Sequence, residues 1–475
     1  MAEIHLRIGL CGIGLDAYWP QFDGLHDRLE GYVRQVEERL QRAGALVDNL
    51  GLIDTAQRGR EAGHSLRRAD VDLLVIYVTT YALSSTVLPM VQRAKVPVLV
   101  LNLQPKAAID YAAFNRLPDR TAMTGEWLAY CSACPLPEIA NVFTRAKIPF
   151  HQVTGVLEEE STWSEIDEWI AAARVKKALA ENRLGLLGHY YSGMLDIATD
   201  VTQVAIIFGS HIEHLEVDEL SALCAAAAPH EIAARVEHFR SQFDVQADCS
   251  GEELARAART SIALDRFVAL HELHSLAYYY MGSGVPANED TMSSIILGTS
   301  LLTARGIPVA GEYEVKNAIA MKIMDCLRAG GSFTEYYALD LKEDHVLMGH
   351  DGPGHIAIAE TKTKVRPLTV YHGKVGRGLS VEMSVKHGPV TLLSVVEDAS
   401  HGFKLLAAHA ESVPGEVLRI GNTNSHYRFA IGARGFVEAW NAQGPAHHCA
   451  VGVGHVGGKL GKLARLLEIP FVQVC

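Results

Sequence analysis

Asp72-Leu-Leu-Val-Ile-Tyr-Val78 and Val96-Pro-Val-Leu-Val-Leu-Asn-Leu103 are the richest apolar runs of the chain. Each has the length of a buried strand and neither approaches the roughly 18 residues that cross a bilayer. Around them the texture alternates. A strand is expected at Ile4 to Cys11, a helix near Gly24 to Ala43, and a helix near Leu88 to Arg93 lies between the two runs. Strand, helix, strand in succession implies a parallel sheet wrapped by helices.

Outward from this block, Glu165 to Ala180 has apolar positions at helical spacing and Asn182 to Gly188 opens a new strand, which puts a boundary near residue 180. A second α/β block follows, with strands expected at Val204 to Phe208 and Ile212 to Leu215. Its helices are expected at Ser221 to Ala227, Ile232 to Phe243 and Glu252 to Leu273. After about residue 330 the pattern shortens to alternating segments, Leu379 to Val385, Val390 to Val396 and Val417 to Ile420, between Gly, Pro and Asn turns. The expectation is an α/β protein: two parallel-sheet α/β domains, 1–180 and 181–330, followed by a β-rich C-terminal domain, 331–475.

The 475 residues are 48% hydrophobic and 21% charged, ample for several packed cores. With 43 Lys and Arg against 55 Asp and Glu, the net charge of −12 disfavours a nucleic-acid partner. No targeting signal or membrane segment is read, so a soluble, cytoplasmic protein is expected. The 8 cysteines, several in apolar segments (Cys11, Cys224, Cys326), read as reduced thiols, and Cys131-Ser-Ala-Cys134 reads as thiols in a loop or helix start because no second pair completes a zinc site.

Two further motifs are set aside. Gly12-Ile-Gly14-Leu-Asp-Ala17 fits a dinucleotide fingerprint only if a helix begins at once, and Trp19-Pro20 delays it; a substrate loop fits better. His271-Glu-Leu-His274 lacks the i, i+4 histidine pair of a zincin and reads as a satisfied helix face.

Chemistry concentrates in the last third. Glu312, after Gly306-Ile-Pro-Val-Ala-Gly311, is expected to open a helix whose apolar positions are Val315, Ala318, Ile319, Ile323, Cys326 and Leu327. The helix dipole there favours its carboxylate, and Lys316 is one turn away to pair with it. In Ser332-Phe-Thr-Glu335-Tyr-Tyr-Ala-Leu339, period two puts Phe333, Glu335, Tyr337 and Leu339 on one face, where a carboxylate is out of place unless this is an edge strand. His350 ends a strand in a Gly-rich turn that runs on to His355. In Gly444-Pro-Ala-His447-His448, an extended chain would turn the two histidines to opposite faces, leaving one as a ligand. Two glutamates and two histidines suit manganese, iron or cobalt better than thiolate-seeking metals.

The runs Ala310-Gly-Glu312-Tyr-Glu-Val-Lys316-Asn-Ala318, Ser332-Phe-Thr-Glu335, Gly349-His350 and Ala446-His447-His448 resemble, in order and spacing, the L-arabinose isomerase family, itself related to the L-fucose isomerases. The resemblance implies a Mn2+ ion (Co2+, Fe2+ or Mg2+ being the alternatives) on Glu312, Glu335, His350 and His448. It further implies an aldose-ketose isomerase that moves a proton between C1 and C2 through a cis-enediol, with Glu312 and Glu335 as acid and base. A sugar epimerase on the same metal site and a non-catalytic sugar-binding protein are the alternatives. The family also implies a homo-oligomer, hexameric, with Tyr18 and Gln21 lining the sugar pocket from another subunit, Met194 from the central domain, and His447 beside the metal. The chain departs from the family in the loop Gly12 to Pro20, in Thr121-Ala-Met123-Thr-Gly125, where the family has a histidine, and after His350. The resemblance therefore carries the metal and the reaction, not the sugar.

Overall fold

The computed structural model describes residues 5–281, 284–368, 376–400 and 402–475; Ile4 of the first expected strand lies outside them. The chain divides into two compact units, 2–177 and 178–475. Among the described residues no helix is long and apolar enough to cross a membrane.

In the first unit, β1 (Arg7–Ile13), β2 (Leu46–Ile53), β3 (Leu73–Val78), β4 (Val98–Gln104) and β5 (Phe150–Val156) form one sheet in the order β2-β1-β3-β4-β5. All of its pairings are parallel. β3 is buried along its whole length, as its unbroken apolar run requires. The helix Leu25–Arg42 turns Leu25, Leu29, Val33, Val36 and Leu40 inward at helical spacing. Gly59 lets the helix Ala56–Ala69 press on the helix Ser84–Ala94, since a Cβ there would lie 2.0 Å from the Thr86 carbonyl oxygen.

After β1 there is no immediate helix. A short 3-10 turn, Asp16–Tyr18, comes first, and Trp19 donates its indole N–H to Asp54 (2.8 Å). The strand order reverses between β1 and β3, and the loop leaves the carboxyl end of β1 at that reversal. The expectation of reduced thiols fails at one pair. Cys131 and Cys134 are disulfide-bonded, their Cα atoms 5.6 Å apart, because the turn between two helices brings them within bridging range. Cys11, Cys224 and Cys326 are free, as expected.

The second unit begins with β6 (Arg183–Leu187) and β7 (His211–Leu215), followed by the short β8 (Asp244–Val245), then β9 (Ser275–Tyr278) and β10 (Val309–Ala310). A parallel sheet runs β10-β9-β6-β7. Val204 to Phe208, expected as a strand, belongs instead to the helix Val201–Phe208. Asp200 caps it by accepting from the N–H groups of Thr202 and Gln203, and of the run only Val204 and Phe208, four apart, are buried.

Then come β11 (Gly330–Asp340), β12 (His345–His350), β13 (Lys364–Pro367), β14 (Leu379–Glu382), β15 (Gly388–Glu397), β16 (Phe403–Val413), β17 (Thr423–Arg428), β18 (His448–Val453) and β19 (Phe471–Gln473). Strands β15-β18-β11-β12-β17-β16 pair antiparallel and close, β16 returning to β15; β19 joins β16, and β14-β13-β8 form a small separate sheet. β11 lies between β18 and β12 and is paired on both sides, so Glu335 is not on an edge. Val417 to Ile420 is not a strand. Leu418 and Ile420 are exposed there, and pairing resumes only at Thr423.

The helix Val315–Cys326 packs on β11, β15 and β18 and is buried not on one face but throughout Val315 to Met324. Its apolar period showed one stripe; the barrel covers the rest.

Candidate active site

Glu312 follows β10, in a turn between the parallel sheet and the buried helix. It and Tyr313 both adopt left-handed backbone conformations, φ 55° and 62°. For residues with a Cβ this costs about 1–2 kcal/mol each. Two backbone bonds hold the turn: Tyr313 N–H to the Tyr278 carbonyl (2.8 Å) and Glu314 N–H to the Gly311 carbonyl (3.0 Å). Glu312 therefore does not open the helix. The helix starts at Val315 with Glu314 as its N-cap residue, which leaves Glu312 in the turn before it.

Three imidazoles surround that carboxylate. His350 Nε2 lies 3.8 Å from Glu312 Oε1, while His447 Nε2 and His448 Nε2 each lie 3.8 Å from Glu312 Oε2. These separations are too long for hydrogen bonds and short enough for one cation with contacts of about 2.0–2.2 Å to reach both atoms of a pair. The outer nitrogens are occupied. His448 Nδ1 is 2.5 Å from Glu314 Oε2, and His447 Nδ1 is 2.6 Å from Asp196 Oδ2, which also accepts the His447 backbone N–H at 3.0 Å.

A carboxylate on Nδ1 makes that nitrogen the donor and leaves the Nε2 lone pair facing inward. Two such lone pairs then face the Glu312 carboxylate. Mutually repelling acceptors of this kind fit a divalent cation among them. The buried His350 Nδ1, with no hydrogen-bond partner among the described residues, adds a third imidazole not committed to protein contacts on both sides. Among the described residues, Glu312, His447 and His448 each offer one ligand atom within 4.8 Å of the others.

Burial pushes the Glu314 carboxyl well above the usual carboxylate range; Lys316 opposes this, and the charges of Asp196 and Glu312 add to it. Burial would also raise Asp196, but the side-chain and backbone hydrogen bonds from His447 hold it below its ordinary value. Phe333, on β11, sets the ring planes: its centroid is 4.5 Å from that of His350 and 4.3 Å from that of His448.

The expectation that adjacent histidines must diverge is overturned. β18 begins at His448, His447 still lies in the preceding bend, and the two rings tilt together with centroids 3.7 Å apart. Glu335 stands on β11 opposite His448 on one side and Gly349 on the other, next to His350. The period-two face it shares with Phe333 does not continue to Leu339, because a bulge shifts the register between Tyr336 and Ala338.

Lys316 does not pair with Glu312. Its Nζ donates to the carbonyls of Asp196 (2.6 Å) and Ala198 (3.1 Å), because the helix begins past Glu312 and turns this side chain toward another loop. Met194 is half-buried in that loop, two residues before Asp196. Tyr18 and Gln21 belong to the first unit, where Gln21 bonds the Ala17 carbonyl and Tyr18 packs edge-on against Phe22.

Two participants were not singled out from sequence: Glu314 alternates with Glu312 in Glu-Tyr-Glu, which is a faint signal, and Asp196 is far in sequence from the residue it serves; Phe333 was read only as a neighbour of Glu335 on one strand face.

Residues 330–470 match the family model of the L-arabinose isomerase C-terminal domain. Over 407 residues the chain is 21% identical to a sulfoquinovose isomerase of Priestia aryabhattai, covering 85% of this chain and 86% of that protein. Over 356 residues it is 25% identical to an L-arabinose isomerase of a Nocardioides species, covering 71% and 68%. Among solved structures, an ABC transporter solute-binding protein of Burkholderia multivorans aligns over 68% of this chain and 93% of its own at 13% identity, with a TM-score of 0.18, too low to carry an argument.

Proposed function

We infer that this chain, a member of the arabinose isomerase-like family, is an aldose-ketose sugar isomerase that works with a divalent cation held at the Glu312 cluster. One observation carries the metal: His448, with Nδ1 on the Glu314 carboxylate, turns Nε2 to within 3.8 Å of Glu312 Oε2, and His350 Nε2 lies 3.8 Å from Glu312 Oε1.

In this reading Glu312, Glu335, His350 and His448 hold the cation. His448 is the buried ligand, 1% exposed at its side chain, and His447, at 35%, is on the side open to sugar. Carboxylate with imidazole favours manganese, with cobalt, iron or magnesium as substitutes. When bound, the cation supplies Lewis acidity to adjacent sugar oxygens and a template that fixes them.

The protein does the proton transfer. Glu312 and Glu335 take a proton from one of C1 and C2 and return it to the other, passing through a cis-enediol, while the sugar oxygens exchange theirs. The strained turn at Glu312 and the Phe333 ring keep carboxylate and imidazoles at fixed separations before sugar arrives, which lowers the cost of reorganisation. Glu314 orients His448 in the tautomer that turns the Nε2 lone pair toward Glu312 and the cation. Met194 and His447 line the sugar side. The chain is read as a homo-oligomer, an assignment that mass measurement in solution decides.

The test is metal-stripped protein incubated in deuterated water with a panel of pentoses, hexoses, deoxysugars and sulfosugars, with and without Mn2+, followed by NMR. Metal-dependent interconversion with deuterium at C1 or C2 is expected. Tight Mn2+ binding with no exchange in any sugar would sink the isomerase reading.

A further inference from the structure

The segment 188–200 leaves β6 and returns to the helix Val201–Phe208 without regular structure. Apolar burial holds it at only one of the two large aliphatic residues beside Asp196: Ile197 is fully buried, but Leu195 is 86% exposed. Its start is held by ring contacts of His189, Tyr190 and Tyr191 with Tyr279, Tyr313 and Tyr280, and around Asp196 the other contacts are polar. Lys316, itself 4% exposed, places its Nζ on the carbonyls of Asp196 and Ala198, and Thr199 Oγ1 donates to Glu397 Oε2 at 2.5 Å. Burying a lysine is costly unless its donors are satisfied, and here the two loop carbonyls accept from it while the charges of Glu314, Glu397 and Asp196 face it.

What it holds is Asp196. One oxygen of that carboxylate, Oδ2, takes both the backbone N–H and the ring Nδ1–H of His447. His447 lies in a bend and not in a strand ladder, so no sheet pairing sets its ring direction. The double contact does so: it fixes the main chain and the tautomer together and leaves Nε2 as the acceptor turned to Glu312.

We propose that Asp196 is a positioning residue for His447, and that Lys316, through the two carbonyls, holds Asp196 at the site. The proposal rests on the isomerase reading for what His447 does to substrate, and on the Asp196 contacts alone for how His447 is held.

The full-length chain is compared with Asp196→Ala, Asp196→Asn, His447→Ala and the Asp196→Ala/His447→Ala double variant; thermal unfolding reports whether each folds, and the Asn variant, which keeps the side-chain shape, stands in if Ala does not. The first readout needs no activity: in metal-stripped protein, nitrogen-15 NMR of the histidine rings, with His447 assigned by its loss in His447→Ala, reports the tautomer. The Nδ1–H form is expected in the parent and a mixture of the two tautomers in the Asp196 variants. The second is kinetic. With Mn2+ and a converting sugar, Asp196→Ala and His447→Ala each lose about 10–100-fold in kcat/KM, and the double variant loses no more than His447→Ala. An unchanged tautomer in the Asp196 variants, or losses that multiply in the double variant, overturns the proposal. A parent that converts no sugar refutes the isomerase reading while the ring spectrum still decides this one.

Discussion

Glu312 shows how much a single backbone conformation decides. A helix-opening glutamate would lie along the helix axis and share its carboxylate with the first-turn N–H groups. The left-handed pair at Glu312 and Tyr313 turns it instead toward three imidazoles. Glu312→Gln and Glu335→Gln are expected to abolish turnover while the folded circular dichroism spectrum is retained. His448→Ala is expected to weaken Mn2+ binding well beyond His447→Ala, read by electron paramagnetic resonance of free Mn2+. His448 is buried, and its removal also strands the buried Glu314, whereas His447 is partly open to water. Equal losses would mean that both rings bind the cation alike.

His355 makes a separate prediction at the same scale. It is buried, its Nδ1 has no hydrogen-bond partner, and burial pulls its pKa from 6.5 to about 4. Above pH 6.5 neither folded nor unfolded chain protonates it, so its contribution is nil. As pH falls from 6.5 toward 4, the unfolded chain takes up a proton that the folded chain refuses, and stability falls by up to about 1.4 kcal/mol per pH unit. In His355→Leu the slope of unfolding free energy against pH should be shallower over that window. An unaltered slope would show that His355 titrates normally in the fold.

Among the elements, the helix Val201–Phe208 and the segment Val417 to Ile420 were both read as strands because short apolar runs look alike in either form. What separated them was the company they keep. Asp200 caps the first, and the second pairs with no strand among the described residues. Asp200→Ala should destabilise the second unit by about 1 kcal/mol in denaturant unfolding, since two backbone N–H groups lose their acceptor. No change would mean that water replaces the cap at no cost. The helix Val315–Cys326 was legible as a helix but not as an enclosed one, because periodicity reports the most apolar stripe and not what covers the others.

For the whole molecule, a cation that binds the folded site and not the unfolded chain must stabilise the fold. Mn2+ at 100-fold its Kd contributes about 2.7 kcal/mol, so a chelator should lower the unfolding temperature of metal-loaded protein by several degrees, and Glu312→Gln should abolish that shift. A chelator shift that persists in Glu312→Gln would place the metal elsewhere.

Local pattern determined a good deal here. Apolar runs and their helical neighbours defined the parallel sheets, alternation marked the β-rich end, and Glu312, Glu335, His350 and the His447-His448 pair drew notice as carboxylates and imidazoles near turns or on an apolar strand face, the choice of His448 coming only from the family resemblance. Those readings depend only on a residue's near neighbours in the chain. Tertiary structure decided the rest: the pairing of β11 with both β18 and β12, the Cys131–Cys134 bridge, the convergence of His447 with His448, and the service of Asp196, Glu314, Phe333 and Lys316 to the cluster. Asp196 is 251 positions from His447 and Glu314 is 134 from His448. A hydrogen bond across such a separation depends on where two distant backbones come to rest, and no spacing along the chain encodes that.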